Sequence, residues 1–294
     1  MNVELPLCIY AVSEAGSQSI KIPSKESRVY QQHQAKLAKL FLDEAHFKNG
    51  AIHLFKGVDQ RLEFLAWLLD AFIQNQDPRQ ATDFYTRLDE DRLISLPEGN
   101  GKSSVFPLIH GLFNRVNELI LSLLDALERS IDGKLFLFTH PIYEPFSGER
   151  YLHNLSALAD KGNWLAQVLQ TLIFKLNIYE QAYTALKAQN GDLAYPEHWP
   201  VRRVNLSSGG LAIESDTPFM KHESVYVLLQ LGQNTVGAKA SVVSVLPIGS
   251  PERPETAFRH RVAFEFDNID SNSQSLITQF VRDQELASVH SALR

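Results

Sequence analysis

Apolar positions follow a helical period over most of the first 190 residues and a period of two beyond them, which predicts two kinds of structure in one chain. The first 27 residues mix short apolar runs with Ser, Gly and Pro and read as a strand-like or irregular lead-in. From about Arg28 the spacing becomes helical, with Val29, Leu37, Leu40 and Phe41, then Phe55, Leu62, Leu65, Leu68, Leu69 and Phe72. A break is expected at Asn49-Gly50, and Gln76-Asp77-Pro78 stops the second helix because proline disfavours helical geometry in the residue before it. The stretch 88–96 is mixed, and 96–104 reads as a loop. Leu112, Val116, Leu119, Leu123 and Leu127 then form the stripe of a strong helix that ends at Asp132-Gly133. Residues 135–138 are short and apolar, and 141–148 read as a loop.

The most regular helix comes next. Leu165, Leu169, Leu172, Leu176, Tyr179, Tyr183 and Leu186 are spaced 4, 3, 4, 3, 4 and 3 apart, the heptad pattern of a coiled-coil seam. Such a seam fits self-association, and equally an internal core helix, because packing within one chain uses the same positions. Asn190-Gly191 ends the helix. Past Tyr195-Pro196, Val225, Val227, Leu229 and Leu231 alternate with Tyr226, Leu228 and Gln230. Val242 and Ser244 alternate with their neighbours, as do Val262, Phe264 and Phe266. Short alternating strands between Gly, Asn and Pro turns predict a small antiparallel barrel or sandwich. A last helix begins near Ser271, with Leu276, Ile277, Phe280 and Val281 facing inward. The expected class is α+β: a mainly helical domain over 1–190, with the heptad helix at 160–189, and a small antiparallel β-barrel over 191–294 with a terminal helix. A hinge is expected near Asn190 to Pro196.

Between two predicted strands lies Val201-Arg202-Arg203-Val204-Asn205-Leu206-Ser207-Ser208-Gly209-Gly210-Leu211. As a bare sequence this is a hairpin turn, since Gly and Asn tolerate the positive φ that such turns require. Its form, with Asn205, Ser207 and Gly210 at the spacing [D/N]-x-S-x-x-G and Gly209 and Leu211 extending the match, resembles the PilZ domain. The following strands and terminal helix agree with that family over about the last third of the chain. The resemblance implies a bacterial signalling protein that receives cyclic di-GMP, with no cofactor of its own. It implies a ligand site at Arg202, Arg203, Asn205, Ser207, Gly209 and Gly210, where backbone N–H groups approach phosphate or ribose and side-chain amides bond a base edge. The family's R-x-x-x-R motif, which supplies two guanidinium groups, is absent between residues 151 and 205. Only the adjacent Arg202-Arg203 pair stands there, and neighbours on a strand point to opposite faces. Arg259 and Arg261 share a face and are further candidates, or else a solvated strand face. The missing motif and the heptad helix together resemble the oligomeric branch of the family, a homo-oligomer. They keep open a second reading, a ligand-free scaffold acting through self-assembly and a protein partner.

Composition narrows the field. With 28 Lys/Arg against 34 Asp/Glu the net charge is −6, and each side of residue 190 carries −3, so no basic face for duplex nucleic acid is expected. Cys8 is the only cysteine, which leaves no intrachain disulfide or cysteine zinc site. No signal peptide is visible, no apolar run approaches the roughly 20 residues of a membrane span, and a reducing cytoplasm is expected. Gly99-Asn100-Gly101-Lys102-Ser103 lacks the first glycine of a phosphate-binding loop, whose place Leu96 takes. His46 and His53 have no patterned metal partners, and no nucleophile elbow is present. No catalytic set forms, and the chain is not expected to be an enzyme.

Overall fold

The computed structural model describes residues 1–12, 28–42, 51–96, 106–138, 149–190, 193, 195–216, 219–248 and 259–292. The predicted break at Asn49-Gly50, the loops at 97–104 and 141–148, the Gly99–Ser103 fragment, His46 and Gly191 lie outside them. The chain divides into two compact units: Met1–Ser17, Ser130–Leu137 and Asn190–Arg294 form one, and Gln18–Arg129 with Phe138–Gln189 form the other.

The helical unit contains α1 (Arg28–Phe41), α2 (Ala51–Ile73), α3 (Phe84–Leu93), α4 (Phe106–Glu128), α5 (Glu149–Asp160) and α6 (Trp164–Asn190). α3 falls partly in the stretch read as mixed. It buries only Phe84, Leu88 and Asp91 and leaves Tyr85 and Leu93 exposed, too few apolar positions to set a period. An ion pair holds it instead: Arg61 of α2 donates to both Asp91 carboxylate oxygens at 2.9 and 3.0 Å, and to Asn117 at 2.9 Å. α6 is the central helix. Leu169, Leu172, Leu176, Tyr179, Tyr183 and Leu186 of the heptad stripe are buried, and so are Val168, Ile173, Ile178 and Ala182 outside it. From Leu169 on the stripe is therefore packed within the chain, which fits the internal core helix of the two readings left open by the heptad. Polar groups on α6 are spent the same way: fully buried Lys175 pairs with Asp59 and donates to Glu63 at 2.7 Å and Gln34 at 2.9 Å, and Arg115 pairs with Glu180.

The second unit is a closed antiparallel barrel. Its strands are β1 (Asn2–Ala11), β2 (Val201–Ser207), β3 (Gly210–Ser215), β4 (Ser224–Leu231), β5 (Asn234–Ile248) and β6 (Arg259–Asn268), in spatial order β1-β2-β3-β6-β5-β4. β1 differs from the sequence-based organisation, which grouped it with the helices. Its first half pairs with β2, Asn2 opposite Asn205 through Pro6 opposite Val201, and its second half pairs with β4, Leu7 opposite Leu229 through Ala11 opposite Val225. Without it β2 and β4 would each present an open row of backbone donors and acceptors. Pro6, which has no N–H to give, sits where one partner is exchanged for the other. Val3, Leu5 and Leu7 join Val204, Leu206, Leu211, Ile213, Val225, Val227, Val262 and Phe264 in the barrel core.

Two elements cover the outside. The Ser130–Leu137 segment turns through left-handed Asp132 and Gly133, and its Ile131, Leu135 and Leu137 pack with Leu193, Trp199, Tyr226 and Leu228. A Cβ on Gly237 would lie 2.4 Å from Ile131 Cδ1, so any larger residue there would make the Ile131 side chain shift. α7 (Ser271–Ala292) seats Ile277, Leu276, Phe280 and Val281 on the barrel. Asp270 caps it, accepting from the Ser273 N–H at 2.9 Å, and hydrogen bonds from the Ser273 hydroxyl and then its N–H hold the Asp270 carboxyl below the usual carboxylate range. Asp270→Ala is expected to cost about 1 kcal/mol, read as a lower midpoint in urea. The group is depressed in the folded state, so its contribution stands above the unfolded value near 4 and fades as pH falls through the lowered one. A variant whose midpoint equals wild type at neutral pH would refute the cap.

Candidate functional site

With β1, β4 and the near half of β5 covered by the chain's own connectors, the open outer wall is β2, β3 and β6. Alternation sorts their side chains. Val204 and Leu206 of β2, Leu211 and Ile213 of β3, and Val262 and Phe264 of β6 point into the core. Arg203 and Asn205, Ala212 and Glu214, Arg261 and Ala263 therefore point out. Register then builds rows across the strands. One row is small and polar, Asn2–Asn205–Ala212–Ala263. The next is charged: Glu4 lies opposite Arg203, Glu214 opposite Arg261, and Arg203 falls across from Glu214 one step past the Val204–Ile213 pair.

Members of these rows line an open groove of about 870 Å³, with Asn2, Arg202, Arg203, Asn205, Glu214, Asp216 and Arg261 in its wall. Its floor is low because Ala212 stands where the flanking row carries arginine and glutamate. Opposite charges sit across from each other by register, yet among the described residues no ion pair joins Glu4, Arg203, Glu214 and Arg261, and the exposed Arg203 and Arg261 line the groove. Asn205 Nδ2 donates to Asn2 Oδ1 at 2.9 Å. That single bond fixes both amides and leaves the Asn205 carbonyl oxygen and the Asn2 NH₂ unspent.

The structure thus gathers three of the residues expected from sequence, Arg202, Arg203 and Asn205. Alternation predicted that only one of the two arginines would face the site. Arg202 has inward parity but lies beyond the last core layer and is exposed, so it lines the groove too. Ser207, Gly209 and Gly210 do not line it. The Ser207 hydroxyl donates to the Gly210 carbonyl at 3.0 Å and closes the turn. Neither glycine occupies the left-handed region, contrary to the turn chemistry expected of them. Gly210 answers a need for space: a Cβ there would stand 2.1 Å from the Phe264 carbonyl oxygen of β6. Asn2 and Glu214 were not singled out from the sequence; the period-two alternation of Asn2, Glu4 and Pro6 with Val3, Leu5 and Leu7 was the signal for the first. Arg261, weighed as a solvated face, lines the groove; the side chain of Arg259 is outside the described residues.

No curated protein matches the chain. Among solved structures it is similar to a pathogenic protein from Xanthomonas campestris described as a tetrameric PilZ domain self-assembled via an unusual helical bundle. The two are 17% identical, the match covers 49% of this chain and 79% of that one, and the TM-score is 0.26. The family model described as the PilZ domain matches residues 185–283, which span β2 to β6 and the first part of α7. The chain therefore carries a PilZ domain, built from β2 to β6 and the first part of α7.

Proposed function

We propose that the barrel is a receptor for cyclic di-GMP with a rearranged, weak site, and that the chain acts by binding rather than by catalysis. The observation that carries this reading is the convergence of Arg203 and Arg261 with Asn205 in one open groove. Arg203 and Arg261 lie two strands apart, about 10 Å along the sheet, and supply two separate cationic forks where the family's R-x-x-x-R pair is missing. Asn205 and Asn2 add neutral donors and acceptors beside them. Among the described residues no group of His, Cys, Asp and Glu could hold a metal ion, and no helix is long and apolar enough to cross a membrane. The alternative, a ligand-free scaffold acting through oligomerisation and partner binding, would have to use a surface other than the buried residues of the heptad stripe.

A bidentate arginine contributes on the order of 1–3 kcal/mol to an oriented anion or base contact, and the open groove places this site toward the lower end. Titration calorimetry with cyclic di-GMP is expected to give a dissociation constant in the micromolar range or weaker. Arg203→Ala, on the same face as Asn205, should weaken it by about ten- to a hundred-fold. Arg202→Ala, at the rim, should cost less. A wild-type protein that gives no heat at millimolar ligand, or an Arg203→Ala variant that binds like wild type, would remove this assignment.

A further inference from the structure

A site built only to hold phosphate has no use for a carboxylate between its two arginines. Glu214 is such a carboxylate: it lies opposite Arg261, across from Arg203, exposed, and in the lining of the groove. Its charge weakens the attraction of both arginines for any anion, because like charges at this range repel in proportion to 1/r even in a wet site. The ordinary reason for a cross-strand carboxylate is an ion pair with its neighbour. Here no such pair forms among the described residues. What remains is an acceptor with two free oxygens beside two cations and two side-chain amides.

We propose that Glu214 is the specificity-determining residue of the groove and selects guanine over adenine; this deepens the receptor reading and rests on it. The chemistry is that of matched edges. Guanine presents two adjacent donors, N1–H and the N2 amino group, and a carboxylate accepts both at once. Adenine presents a lone pair at N1 beside its N6 amino group, so the same carboxylate meets one donor and one repelling acceptor. Ala212 carries only a methyl group where it lines the groove, so a planar base can lie over this position with Glu214 at its edge. Arg203 and Arg261 on either side then reach the phosphates, and the Asn2–Asn205 pair offers its unspent carbonyl and amide to ribose or base.

The test turns on a sign. Glu214→Gln keeps the size of the side chain, removes its charge and replaces one acceptor with a donor. If Glu214 merely offsets the arginines, the variant binds every anionic nucleotide more tightly. If Glu214 reads guanine, the variant loses cyclic di-GMP and gains cyclic di-AMP, whose N1 and N6 match a carboxamide. Wild type and Glu214→Gln would each be titrated calorimetrically with both cyclic dinucleotides, with circular dichroism to check the fold of this exposed substitution. The expected result is a wild-type preference for cyclic di-GMP of about ten-fold or more that narrows or inverts in the variant. Tighter binding of both ligands by the variant, or an unchanged preference, overturns the assignment of Glu214 while leaving the receptor reading in place. Wild type that binds neither ligand overturns both.

Discussion

Replacing Leu172 and Leu176 together by glutamate is expected to unfold the helical unit. Both side chains have no exposed area, and they lie on a helix whose other faces are also packed. Each substitution removes a buried leucine, which costs about 2–5 kcal/mol, and places a carboxylate where no partner can reach it, which costs several kcal/mol more. A domain of this size is stable by only about 5–15 kcal/mol. The two changes together exceed that reserve. Far-UV circular dichroism should show the loss of most helical signal, and thermal melting should lose the transition of the helical unit. A matched control is Leu121→Glu on α4, where the side chain is 53% exposed and the change should be nearly silent. The opposite outcome would be a double variant that keeps its helix content and changes only its mass in light scattering. It would return the stripe to an interface between copies and refute the burial described above.

The heptad illustrates what periodicity reveals and what it hides. The spacing of Leu165 to Leu186 fixes a helix and names its apolar seam, but the same seam fits a partner helix from the same chain or from another. The deciding information lies off the seam. Val168, Ile173, Ile178 and Ala182 are apolar at positions a two-sided coiled coil would leave to solvent, whereas only Gln181, Thr184 and Ala188 of the second half are exposed. A helix apolar on most of its circumference is a central helix. For β1 the limit was different. Its alternation was visible, but its partners β2 and β4 begin near residue 200, and no local pattern connects strands so far apart.

The site was legible to the extent that it follows from a turn. Asn205 stands out because the hairpin has a recognisable form, and Arg203 because it lies two residues away on the same face. Glu214, Asn2 and Arg261 belong to the groove only through register: the pairs Asn2–Asn205, Asn205–Ala212 and Glu214–Arg261 come from three strand pairings, one of them spanning 203 positions of sequence. No short motif holds such information. Gly210 shows the converse: the motif names it as a turn and ligand position, while its packing against the Phe264 carbonyl is visible only in the register of β3 on β6.

That assignment leads to a sharp contrast between neighbours. Gly210→Val is expected to destabilise the barrel by about 3 kcal/mol or more, and Gly210→Ala by somewhat less, at or beyond the upper end of ordinary overpacking. The reason is that the new Cβ meets a backbone carbonyl, that of Phe264, and not the tip of a movable side chain. That carbonyl cannot swing away, because β6 is held at the same point by the Gly210–Glu265 pairing and by the Phe266 N–H donating to the Gly209 carbonyl at 3.0 Å. Relief requires β3 and β6 to separate, and every barrel strand pair next to them shares the cost. Gly209→Ala should behave in the opposite way. A Cβ there meets nothing within 4 Å and the backbone is not left-handed, so alanine leaves the folded state undisturbed and reduces the freedom of the unfolded chain, a gain of about 0.4–1 kcal/mol. Urea unfolding followed by tryptophan fluorescence, with Trp199 buried beside the barrel as reporter, would measure both. Equal stability of the Gly210→Ala and Gly209→Ala variants would show that the strands can yield at this point and that the glycine at 210 serves something other than the fold, with the approach of a ligand to the turn as the first alternative to examine.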